Sequence, residues 1–158
     1  MPNTIELISI GIVCEDGREY YNIANWYTYE HASDWVKENV IKPIHKVMFD
    51  GHEKVPDISV FHHQFGQSVR DMKNQILGFV GKDPEFWGYY ADYDWVAFCW
   101  IFGRMLDLPM SWPKYCRDLK QLADDVGKPK FDKPTQTHNA LDDALWNKKF
   151  HEYLLIKE

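Results

Sequence analysis

The run Ile5-Glu6-Leu7-Ile8-Ser9-Ile10-Gly11-Ile12-Val13 constrains this chain more than any other stretch. It is rich in β-branched residues, and its apolar character crosses both alternation phases, so it predicts a strand covered on both faces. Cys14-Glu15-Asp16-Gly17 supplies turn chemistry, with Gly17 free to adopt positive φ. Glu19 to Trp26 then reads as the returning strand of a β-hairpin. A central strand needs a neighbour on each edge, and the hairpin provides one.

A chain of 158 residues with 45% hydrophobic and 27% charged residues has the size and balance of one domain with a real core, spanning 1–158. Intrinsic disorder is excluded. The net charge of −6 argues against wrapping duplex DNA through a phosphate-tracking surface, so a nucleic-acid contact should be small and local. Cys14, Cys99 and Cys116 are odd in number and widely spaced, with no Cys-x-x-Cys pair, which fits a reducing cytoplasm. Neither a secretion signal nor a membrane span is indicated.

Further along, Ala32 to Val40 has helical spacing with Ser33 or Asp34 as cap and Pro43 as its stop. Val47 to Phe65 reads as a long irregular connection, and His62-His63 as an exposed pair with no metal partners. Ser68 caps a predicted helix through Phe79, with Val69, Met72, Ile76 and Phe79 on one face. Phe86 to Tyr90 reads as a strand and Trp95 to Leu106 as a buried helix, with Cys99 a small core residue. Leu119 to Val126 forms a short helix closed by Gly127. A connector rich in Lys and Pro follows, and a last helix opens near Thr137 or His138 and runs toward Ile156. This order predicts an α/β domain with a mixed β-sheet flanked by helices.

Two segments carry candidate chemistry. Thr137-His138-Asn139-Ala140-Leu141-Asp142-Asp143-Ala144 puts a histidine and a carboxylate together at a helix start. Trp87 to Trp95 places carboxylates between a strand end and a helix, where ligands collect in open α/β sheets. Asp92 and Asp94 both stand there, and Asp142 is read as an acid favouring the helix dipole. Trp87, Tyr89, Tyr90, Tyr93 and Trp95 could stack on bases, although strand alternation sends at least half of them to the core. Lys128, Lys130 and Lys133 read as a solvated basic connector.

Together these residues resemble the DEDDh family of 3′-to-5′ exonucleases, which has the ribonuclease H-like fold. His138 through Asp143 matches the third motif, His-x-Ala-x-x-Asp, and Tyr93-Asp94 before an apolar helix matches the second. Ile5 to Gly11 looks like the family's second strand, and Tyr115-Cys116-Arg117-Asp118-Leu119 falls at a further strand-to-helix junction. The Trp- and Tyr-rich second motif is most similar to the polyadenylate-specific ribonuclease AS branch. The resemblance implies hydrolysis of single-stranded RNA from its 3′ end, using two Mg²⁺ or Mn²⁺ ions about 4 Å apart. It implies that Asp94 and Asp143 are metal ligands and His138 the general base, a task for which an imidazole's ordinary pKa of about 6.5 is suited. Homodimerisation is implied as well.

One element departs from the pattern. The family's Asp-x-Glu pair on the strand before this segment has no counterpart in Met1-Pro2-Asn3-Thr4, and Glu6 belongs to a different strand. The expectation is impaired turnover, with one more strand of about five to six residues, carrying Asp-x-Glu, encoded upstream. Two other functions stay open: a non-catalytic RNA-binding or assembly protein that keeps the fold, and a deoxyribonuclease or proofreading subunit, since no motif here reads the 2′-hydroxyl.

Overall fold

The computed structural model of the chain describes residues 5–127, 131–132 and 138–156. Met1 to Thr4, the connector lysines Lys128, Lys130 and Lys133, and the Thr137 helix opening lie outside the described residues. The expected hairpin is present. β1 (Ser9–Val13) pairs antiparallel with β2 (Glu19–Ile23), in a register running from Ser9↔Ile23 to Val13↔Glu19. Gly17, at φ +89°, closes the turn. The second strand ends at Ile23 rather than Trp26: the Ala24 amide still donates to the Ile8 carbonyl, while the Ile23 carbonyl and the Asn25 amide on either side bond to the backbone of Gln67. As expected, β1 is covered on both faces: Ile8, Ile10 and Ile12 pack on the main core, while Gly11 meets the last helix.

Pro43 does not stop the next helix. Helical backbone runs through α1 (Asp34–Val36), a π-helical turn (Lys37–Ile41) and α2 (Lys42–Met48), with Ser33 Oγ accepting from the Val36 amide. In the widened turn the Lys42 amide donates to the Lys37 carbonyl, one residue farther back than in an α-helix. Proline, which clashes with the fourth carbonyl behind it and has no amide to satisfy, is accommodated there.

The stretch expected to be irregular contains a helix, α3 (Phe61–Phe65), and His62 is not an exposed loop residue: it is 0% exposed. Its Nε2 donates to the Tyr27 carbonyl at 3.0 Å and its ring stacks on Tyr27 at 3.9 Å. Burial, then the neighbouring His63, lowers its pKa and keeps it neutral. Phe61 and His62 face inward at adjacent positions, so no amphipathic period announces this helix.

α4 (Val69–Val80) begins as expected, Ser68 Oγ accepting from the Asp71 amide, and buries Met72 and Ile76. β3 (Trp87–Gly88) pairs in parallel with β4 (Arg117–Asp118). α5 (Asp92–Phe102) starts before the expected Trp95 and ends earlier, at Gly103. Cys99 is buried on it, as expected. α6 (Leu119–Asp125) and α7 (Ala140–Leu155) complete the α/β order.

The strands form two separate two-stranded ladders, β1-β2 and β3-β4. α7 connects them by packing. Its start lies on β1, and farther along Trp146 and Phe150 meet Tyr89, just after β3, at 5.1 and 5.9 Å between ring centroids. One core cluster lies among β1, β2, α2, α3, α4 and α5. The other joins Leu119 and Ala123 of α6 to Trp146, Phe150 and Leu154 of α7.

Gly11 is what lets α7 approach. A Cβ there would stand 2.5 Å from the Leu141 backbone nitrogen and equally tight against Ala140. Gly11→Ala should therefore cost about 1–3 kcal/mol of overpacking strain. Gly78, on α4 with open space around it, should become about 0.5–1 kcal/mol more stable as Gly78→Ala. Urea unfolding of the two variants measures both effects.

Candidate active site

Each candidate residue sits at or just before the start of a helix. Asn139 caps α7, its Oδ1 accepting from the Leu141 amide at 2.9 Å and from the Asp142 amide at 3.3 Å. His138 immediately precedes that cap, and Asp142 and Asp143 occupy the first turn. The first turn is where the helix dipole favours an acid, so neither carboxylate opposes folding. The exposed His138 ring lies against Trp35 of α1, 4.7 Å between centroids and nearly edge-on at 72°.

Asp94 lies in the first turn of α5 together with Asp92, inside the helix rather than ahead of it. No side chain of Ala91 caps this helix; a neighbour steadies its start instead. Asp118, at the end of β4, accepts from the Ala91 amide through Oδ2 at 2.8 Å and from the Lys120 amide through Oδ1 at 2.7 Å. One carboxylate thus caps α6 and anchors the chain that enters α5. This role was missed in the sequence, although an Asp directly before the helical Leu119 segment is an N-cap signal.

The ground around Asp94 is acidic. Burial, reinforced by the charges of Asp118 and then Asp94, pushes the Cys116 thiol up to about 12. Cys116 therefore stays a neutral thiol. Glu6 makes two contacts of its own: Oε2 accepts from the Thr28 amide at 2.8 Å and Oε1 meets His31 Nδ1 at 2.9 Å.

Asp94 and Asp143 offer the oxygen donors that hard divalent cations prefer. Among the described residues no three His, Cys, Asp or Glu side chains gather into a cation cage. These carboxylates fit such an ion by donor type and fall short of a complete ligand set in number. What the structure brings together is their supports. α7, which carries Asp143 in its first turn and has His138 just ahead of its cap, lies on β1 and leans on the segment that follows β3 and leads to Asp94.

Replacing Asp118 removes two acceptors at once. Asp118→Ala should lower stability by about 1–3 kcal/mol, and Asp118→Asn, which keeps an acceptor oxygen, by less. Denaturant unfolding gives the ordering, and equal stability of both variants with the parent would deny the anchoring role.

Residues 1–155 match the family described as the 3'-5' exoribonuclease Rv2179c-like domain. The chain is 37% identical over 144 residues to "3'-5' exoribonuclease Rv2179c" of Mycobacterium tuberculosis strain ATCC 25618 / H37Rv, covering 90% of this chain and 79% of that one. The same identity and coverage hold for "3'-5' exoribonuclease MT2234.1" of strain CDC 1551 / Oshkosh. The chain belongs to the Rv2179c-like 3'-5' exoribonuclease domain family.

Proposed function

We propose that this chain is a DEDDh-type 3′-to-5′ exoribonuclease of ribonuclease H-like fold that releases nucleoside monophosphates from the 3′ end of single-stranded RNA. Membership of an exoribonuclease family supports it, and one structural observation carries it into the chemistry: α7 ties the segment bearing His138 and Asp143 to the ladder that leads into Asp94. In this scheme Asp94 and Asp143 hold divalent cations. When bound, Mg²⁺ or Mn²⁺ supplies acidification of water and neutralisation of charge on the departing 3′ oxygen. His138, exposed to solvent beside that turn, accepts the proton of the attacking water. The cytoplasm is the compartment proposed.

Asp94 and Asp143 alone leave coordination incomplete, so turnover by residues 1–158 is proposed to be impaired until an Asp-x-Glu pair is added. Its place would be beside β1, whose edge away from β2 has no strand partner among the described residues. A homodimer belongs to the same proposal. Tyr93, Val96 and Trp100, at helical spacing on α5, expose an apolar stripe of the kind that contacts between protein chains cover. The alternative reading is a protein that keeps the fold and retains RNA without cleaving it.

The test incubates 5′-labelled oligo(A) with Mg²⁺ or Mn²⁺ and either residues 1–158 or a version extended by a strand bearing Asp-x-Glu. A ladder of shortened products is expected for the extended version. Within it, His138→Ala should slow release by about 10²- to 10⁴-fold. An unchanged rate removes His138 from the mechanism, and bound but intact RNA in every case favours the alternative.

A further inference from the structure

We propose that Tyr90 is a stacking platform for the 3′-terminal base of single-stranded RNA, an inference that rests on the exoribonuclease proposal and adds a specific substrate contact to it. Tyr90 is held at φ +51°, a left-handed conformation that glycine or asparagine adopts readily and a bulky side chain does not. The fold gains little from its ring, which is 62% exposed. The preceding residue does the packing, since Tyr89 turns inward onto Trp146 and Phe150. Backbone strain of this sort persists where the surroundings fix it, and it gathers at functional sites.

The fixing contacts are visible on both sides. Tyr89 touches the Tyr90 ring edge-on, 4.7 Å between centroids, and Asp118 holds the next amide, that of Ala91. The result is an aromatic ring whose place is set before any ligand arrives, four positions ahead of Asp94. A preorganised aromatic face on the segment that leads into Asp94 would stack on any base, since every base presents a π-face.

The measurement is fluorescence anisotropy of 5′-labelled oligo(A) binding to the 158-residue chain with Ca²⁺, alongside the same strand ending in an abasic nucleotide. Tyr90→Gly and Tyr90→Asn both relieve the backbone and remove the ring. Each is expected to weaken oligo(A) binding about 5- to 100-fold, with thermal midpoints at or above the parent's and no further loss for the abasic end. Tyr90→Phe should bind like the parent. Parental affinity in the Gly and Asn variants would overturn the inference and leave the exoribonuclease proposal standing. Failure of the unaltered chain to bind oligo(A) would overturn the inference, while product ladders from the extended version decide the exoribonuclease proposal separately.

Discussion

Gly11 brings the backbone of β1 against the first residues of α7, and the arrangement of the molecule follows from that contact. The two ladders share no hydrogen bonds, so their relative position depends on side chains and on one long helix. α7 meets the first ladder where a single hydrogen stands in place of a side chain. It meets the second through an aromatic group in which Tyr89, Trp146, Phe150 and Phe131 touch one another edge-on, tilted or stacked. Aromatic packing of this density buries large areas with few rotatable bonds, and it fixes distance as well as providing stability.

The same helix carries the candidate chemistry at its start, which makes capping a functional matter. Asn139 and Asp118 each accept two backbone amides, and each thereby sets the direction of a segment bearing a candidate carboxylate. Helix starts tolerate acids well, and Asp94 and Asp143 both occupy first turns. Cys116 marks the local field: its thiol remains protonated because it is buried beside negative charge.

Much of this was legible in the sequence. The β1-β2 hairpin followed from apolar residues on both phases and a glycine turn, and α4 from its serine cap and its spacing. The elements that were not legible share a cause, in that tertiary contacts overrode the local signals. Pro43 reads as a stop because the π-helical turn that accommodates it leaves no mark in the pattern. His62 reads as a surface residue because its partner, the Tyr27 carbonyl, is 35 positions away. The left-handed Tyr90 was invisible for the opposite reason, since its residue type argues against the conformation it holds. Asp118 lay in a recognised junction, yet its bond to Ala91 links residues that no local pattern connects.

The central claim is that Asp94 and Asp143 share divalent cations, with His138 beside them. It is tested most directly by the anomalous scattering of Mn²⁺ in crystals of the chain extended by an Asp-x-Glu strand. Peaks coordinated by both the Asp94 and the Asp143 carboxylates, with the His138 imidazole facing a bound water, are the expected result. Mn²⁺ bound elsewhere, or two carboxylates too far apart to be spanned by a pair of ions, would contradict it.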